Sequence, residues 1–162
     1  MNKSNLYFMT GDDPFSLREE VQRWKQGFLE KFGDTDLEEL DGETATLEQI
    51  AQATQTTPFL SEKRLVILKD FLSSQKAEAA KLILPLLEKI PESTVLVLAE
   101  FGSPDGRTSA FKAISGGATK RLFLRPKGVQ LSTWIQRRAE THGGFMNSEC
   151  AGYLAGVLGD NL

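Results

Sequence analysis

The stretch KRLVILKDF, residues 63–71, sets four consecutive apolar side chains, Leu65 to Leu68, between charged flanks. A run this short, bounded by charges, reads as a strand. Apolarity without alternation reads as a strand covered on both faces, as in a parallel sheet. STVLVLAEF, residues 93–101, repeats the pattern. Three further strands are legible in NLYFMTG (5–11), in the weaker DLEELDG (36–42) and in ATKRLFLRP (118–126). Helical segments separate them. PFSLREEVQRWKQGFLEKFG (14–33) places Phe15, Val21, Trp24, Phe28 and Phe32 at helical spacing, with Pro14 in the first turn and Gly33 past the end. TLEQIAQAT (46–54) carries Thr46 as an N-cap. SQKAEAAKLILPLLEKI (74–90) is a helix that Pro85 kinks or splits. GRTSAFKAISGG (106–117) is a helix stopped by glycines. Strands alternating with helices mean βαβ units, hence an α/β fold with a five-stranded parallel sheet and helices on both faces.

The alternation ends at Leu124. RPKGV (125–129) is a short connection, and two helices follow in QLSTWIQRRAETHGG (130–144) and NSECAGYLAGVLG (147–159). Leu131, Trp134, Ile135 and Ala139 share one helix face, so Trp134 reads as core; Asn147 or Ser148 is the cap of the second helix. Two helices alone bury little. Residues 1–124 are therefore expected to be one domain and 125–162 the start of a helical domain cut short, in a chain that is a fragment of a longer protein.

Composition bounds the functions. The chain has 162 residues, 40% hydrophobic and 25% charged, enough for a substantial core. No apolar run approaches the ~20 residues of a membrane span, and the first residues lack a secretory pattern. The one cysteine, Cys150, excludes an internal disulfide and fits a reducing cytoplasm. The net charge is −3, but residues 1–50 carry 5 basic and 12 acidic side chains and residues 51–162 carry 14 and 10. Two readings stand: ordinary scatter over solvated faces, or steering of a charged partner to one end.

LYFMTGDDPFSLREE, residues 6–20, has the strand–turn–helix grammar of a phosphate-binding loop. Such a loop needs several glycines, and usually a Lys followed by Ser or Thr. Here only Gly11 is present, Asp12 and Asp13 put negative charge where phosphate would sit, and Pro14 removes a donor. A plain turn, with acids favouring the helix N-terminus, is the expectation. Asp70 lies where a nucleotide hydrolase would hold magnesium, but Phe71 stands where a second acid is needed, so Asp70 reads as a strand-end turn residue. The sole histidine, His142, reads as a helix-end residue, and with Cys150 it makes no zinc site. No cofactor and no metal are expected.

TTPFLSEKR, residues 56–64, has Thr57 as an N-cap and Pro58 as a first helical residue, which predicts a very short helix before the strand. Phe59 and Leu60 lie about 100° apart on such a helix and form a broad apolar tip. The residues alone favour core burial for Phe59.

Taken together, YFMTGDDPFSLRE, TTPFLSEKRLVILKDF, IPESTVLVL, RPKGVQLSTWIQRRAETHGG and the closing LGDNL resemble the delta subunit family of the bacterial DNA polymerase III clamp loader. The resemblance runs over the whole chain and is most specific at TPFLSEKRLVILKDF and GDNL. It implies an AAA+-like domain with a degenerate nucleotide site, then part of a small helical lid, with the collar domain absent. It implies a subunit that is no enzyme by itself: it neither binds nor hydrolyses ATP, and it grips the sliding clamp (the beta subunit) and favours its open form. It implies that Pro58, Phe59 and Leu60 enter a hydrophobic pocket on the clamp, which reverses the core reading of Phe59; Pro58 stands where some members carry a larger apolar residue. Arg125, Lys127, Arg137 and Arg138 form a basic cluster that either faces DNA or is simply solvated. Partners implied are the clamp, the other loader subunits through the collar and AAA+ faces, and DNA indirectly or weakly, with no membrane and a monomeric fragment. The competing readings are a P-loop-type nucleotide hydrolase with an unusual loop and a generic interaction scaffold.

Overall fold

The computed structural model describes residues 4–159. The chain divides after Phe123 into two compact units. In the first, five strands form one sheet: β1 (Leu6–Gly11), β2 (Leu37–Asp41), β3 (Arg64–Lys69), β4 (Thr94–Ala99) and β5 (Thr119–Phe123). Their order is β2-β3-β4-β1-β5, and every pair is parallel. The five-stranded, all-parallel sheet with helices on both faces expected from the sequence is therefore present.

Strand alternation builds two cores from one apolar run. Val66 and Leu68 face a cluster with Phe8, Leu96, Leu98, Ile50 and Ile114. Leu65 and Ile67 face the other side with Met9, Val97, Val21 and Phe28. The second side is covered by α1 (Pro14–Phe32) and the first by α2 (Leu47–Gln55), α3 (Phe71–Ser74), α4 (Ala77–Lys81), α5 (Leu84–Glu88) and α6 (Ser109–Gly117). Continuous apolarity is thus the mark of a strand that must satisfy both faces.

Local signals explain the helices. Asp13 caps α1 by accepting the Ser16 amide at 3.0 Å, Pro14 opens it and Gly33 ends it. Thr46 and Gln49 close a reciprocal capping box on α2. One expectation needs correction. The buried stripe of α1 runs through Leu17, Val21 and Phe28 with Trp24 partly buried, while Phe15 stands at the surface; two residues before Leu17, it is rotated about 200° from the core face. The helix read over 74–90 is split as expected, into α4 and α5, with Pro85 in the first turn of α5, and α3 precedes them unannounced.

The second unit holds α7 (Val129–Thr141) and α8 (Ser148–Leu158). Leu131, Ile135 and Ala151 are buried together, with Trp134, Met146, Leu154 and Ala155 packed around them. Asn147 caps α8 by accepting the Cys150 amide at 2.8 Å. The last residues of GDNL, Asp160 to Leu162, lie outside the described residues. Among the described residues, no helix is long and apolar enough to cross a membrane.

Candidate functional site

Parallel strands give the sheet two chemically different edges. At the C-terminal edge, the β1–α1 turn offers no open cradle. A side chain at Gly11 would put its Cβ 1.7 Å from the Phe123 carbonyl oxygen, so the glycine serves the close approach of β5. The Asp13 amide donates to that same carbonyl at 3.2 Å, and the Ser16 amide donates to the Asp13 carboxylate. Both donors are already occupied.

Beside this turn, Asp70 follows β3 and Glu100 follows β4. The expectation that Asp70 has no acidic neighbour fails, because the neighbour comes from the adjacent strand. Asp70 adopts a left-handed backbone, φ 50°, and its Oδ1 accepts the amides of Phe101 and Gly102 at 2.8 and 2.9 Å. Glu100 is fully buried; it accepts the amides of Leu72 and Ser73 at 2.7 and 2.9 Å and faces the Ser73 hydroxyl at 2.8 Å. Each acid thus closes the loop that follows the other's strand. Burial pushes the Glu100 carboxyl above its ordinary range; the Ser73 and Leu72 donors oppose this only in part, and the Asp70 charge reinforces it. Glycine or lysine donors for a phosphate are not part of this arrangement, and among the described residues no three His, Cys, Asp or Glu side chains gather as a metal-binding group.

The N-terminal edge is built differently. Between α2 and β3 the chain forms no helix at Thr57–Pro58, contrary to the expectation from sequence. The reason is a side chain from elsewhere. Asp36, just before β2 and 1% exposed, accepts the Phe59 amide on Oδ1 at 2.9 Å. Its Oδ2 accepts the Leu60 and Ser61 amides at 3.2 and 3.1 Å. The Ser61 hydroxyl, with one proton to give, faces both Asp36 at 2.9 Å and the Lys63 carbonyl. Three successive N–H groups are spent on this carboxylate rather than on a Thr57 cap and a helical turn.

Asp36 is itself held by the sheet. The Leu65 amide donates to its carbonyl at 2.9 Å. Arg64 Nη1 lies 3.6 Å from its Oδ1, while the same guanidinium pairs with Glu38 and donates from Nε to the Ala53 carbonyl at 2.7 Å. Burial opposes the Asp36 charge, but the amides of Phe59, Leu60 and Ser61 with the Ser61 hydroxyl outweigh it and hold the carboxyl below its usual range.

With its backbone turned inward, the segment turns its apolar side chains outward. Phe59 is 82% and Leu60 72% exposed, and Pro58 is half-buried beside them. The core burial that Phe59 suggests as an isolated aromatic does not occur. Asp36 was missed by sequence reasoning, since an Asp ahead of a strand looks like any turn residue. The one available signal was an acid and an arginine opening two strands that pair, Leu37 lying opposite Leu65 in the register.

Arg125, Lys127, Arg137 and Arg138 all lie in the second unit. Arg125 and Lys127 precede α7, while Arg137 and Arg138 lie eight and nine residues along it from Val129, about 12 Å further on. Arg137 is exposed, and the Arg138 guanidinium sits 5.8 Å from the centre of the Trp134 ring.

A sequence model of the family described as DNA polymerase III, delta subunit, matches residues 7–121. The chain is 24% identical over 166 residues to DNA polymerase III subunit delta of Bacillus subtilis, covering 97% of this chain and 48% of that protein. Its fold is similar to the B. subtilis DNA clamp loader delta protein, with TM-score 0.71 and 24% identity over 93% of this chain and 47% of that one. It is also similar to a DNA polymerase III gamma subunit-related protein of Thermotoga maritima, with TM-score 0.54 and 21% identity over 94% and 54%. The chain spans about half the length of these relatives.

Proposed function

Since the chain belongs to the DNA polymerase III delta subunit family, we propose that it is the clamp-opening part of a clamp loader: it binds the sliding clamp used in DNA replication and favours its open form. The observation that carries this reading is the tip. Phe59 and Leu60, 82% and 72% exposed, are adjacent and form one apolar tip on a backbone held from below. They enter an apolar pocket on the clamp, with Pro58 at its rim. Residues 125–162 begin the helical lid, and the remaining loader subunits meet the chain through its sheet domain and through the collar of the whole protein. Arg125, Lys127, Arg137 and Arg138 are the side chains offered to DNA. The chain works in the cytoplasm and hydrolyses no ATP by itself; the occupied donors at Asp13 and Ser16 and the acids at Asp70 and Glu100 support that.

Titration of the chain against its cognate sliding clamp tests the reading. Burying an aromatic and a leucine contributes roughly 1.5–3 kcal/mol each, and central aromatic anchors often cost about 2 kcal/mol or more on truncation. Phe59→Ala with Leu60→Ala is therefore expected to weaken clamp binding by about two to three orders of magnitude. Equal binding by parent and double variant removes these residues from the site.

A further inference from the structure

We propose that Asp36 is the positioning residue of the clamp-binding tip, fixing the backbone of residues 59–61 so that Phe59 and Leu60 are presented by a rigid loop and bind by side-chain insertion alone. The inference rests on the clamp-binding reading above and deepens it.

Three observations carry it. First, a side chain 1% exposed collects the amides of three consecutive residues, two of which are the exposed apolar pair. Retracting the pair into the core would strip those donors from a buried carboxylate, which is strongly unfavourable. The tip is therefore held out against the hydrophobic tendency of its own side chains. Second, the support is stiff. Asp36 is tied through its carbonyl to the Leu65 amide of β3, and Arg64 connects it to Glu38 on β2 and to Ala53 of α2. The tip is thereby set by the sheet register rather than by its own short loop. Third, the amides of residues 59–61 all point at Asp36, so an incoming chain finds no free N–H there. Addition of a strand along residues 59–61 would lack its donor half, which favours an apolar pocket filled by side chains. Ordering the loop before the encounter removes part of the entropy cost of association.

The test compares Asp36→Asn, Ser61→Ala and a core control, Ile67→Val, in this chain. Clamp affinity is measured by titration at a temperature where all variants are folded by circular dichroism, and amide hydrogen exchange is followed at residues 59–61. Asp36→Asn is expected to weaken clamp binding by about tenfold and to speed exchange at residues 59–61 by roughly tenfold or more, while the rest of the sheet keeps its protection. Ile67→Val is expected to lower thermal stability with clamp affinity unchanged. Should Asp36→Asn fail to fold, Ser61→Ala, which removes only a hydroxyl, is expected to give a smaller change of the same kind, about threefold in affinity. Parent-like affinity and parent-like exchange in these variants overturn the proposal, as does an affinity loss that Ile67→Val reproduces. If the parent itself does not bind the clamp, the function proposed above fails; exchange at residues 59–61 still decides whether Asp36 holds the tip.

Discussion

Asp36 and Glu100 are two buried carboxylates at opposite edges of one sheet, and they do opposite things with the same chemistry. Each accepts consecutive backbone amides and a serine hydroxyl. For Asp36 the amides of Phe59, Leu60 and Ser61 with the Ser61 hydroxyl outweigh burial and hold the carboxyl below its ordinary range; for Glu100 burial outweighs the Leu72 and Ser73 donors and pushes it above, with the Asp70 charge adding to it. Glu100 draws a loop shut over apolar core, with Phe71 and Leu72 buried behind it. Asp36 draws a backbone inward and leaves Phe59 and Leu60 outside. In open parallel sheets ligands usually sit at the C-terminal ends of the strands. Here that edge is occupied by its own acids, and the exposed Phe59–Leu60 pair lies at the other edge. The comparison teaches that the backbone amides a buried acid collects decide whether the loop beside it closes over the core or leaves its side chains outside.

The largest effect that would break this comparison is a reversal of which region depends on its hydrophobics for stability. Leu98→Ala, in the core behind the closed edge, is expected to cost about 2–5 kcal/mol. Phe59→Ala with Leu60→Ala is expected to stay within about 0.5 kcal/mol, because it opens no cavity. Urea denaturation of both variants reads the difference directly. A tip variant as damaged as the core variant would mean that Phe59 and Leu60 fold inward in solution.

A smaller effect sharpens the contrast between the two acids. Asp36→Asn keeps one acceptor oxygen but turns an NH2 group toward amide donors and leaves Arg64 without its full counter-charge. It is expected to cost about 1–3 kcal/mol at neutral pH. Glu100→Gln also misplaces a donor, yet it removes a charge that burial and Asp70 disfavour, and the Ser73 hydroxyl can accept from the new NH2. Its cost is expected to stay under about 1 kcal/mol. Thermal denaturation at neutral pH compares them; equal losses would erase the difference in charge balance.

Much of this is legible in the sequence. The doubly buried strands at 65–68 and 94–99, the caps at Thr46 and Asn147, the break at Pro85 and the poor phosphate loop are all short-range signals, written in neighbouring residues. What was not legible depends on residues far apart in the chain. Asp36 reaches residues 23 to 25 positions on, and Glu100 reaches back 28 to Leu72. The short helix expected at Thr57–Pro58 failed for the same reason, since its amides found a partner in the turn before β2. Phe15 was misplaced because helical spacing allowed more than one starting point, and only the sheet chose between Phe15 and Leu17. The outward pointing of Phe59 runs against what an aromatic suggests by itself, and the family resemblance carried that expectation.

The smallest effect is the most discriminating, because the two acids predict pH slopes of opposite sign. Asp36 has a folded-state pKa lowered from the ordinary 3.8, so between the two values the unfolded chain binds more protons than the folded one. Its contribution is present above 3.8 and is lost as pH falls through the lower, folded-state value. Glu100 has a folded-state pKa raised from the ordinary 4.5, so the folded chain binds more protons. Its contribution is complete below 4.5 and is lost as pH rises through the higher, folded-state value. Subtracting variant curves from the parent isolates each acid. The Asp36→Asn deficit should shrink as pH falls below 3.8, because the parent then loses the charge the variant already lacks. The Glu100→Gln curve should rise relative to the parent as pH increases above 4.5, because only the parent then carries an ionised, buried carboxylate next to Asp70. Thermal denaturation midpoints from about pH 3 to about pH 8 measure both differences. A Glu100→Gln difference that is flat over this range would mean the carboxylate ionises as freely as one in water, and the closed edge would then owe its closure to hydrogen bonds alone.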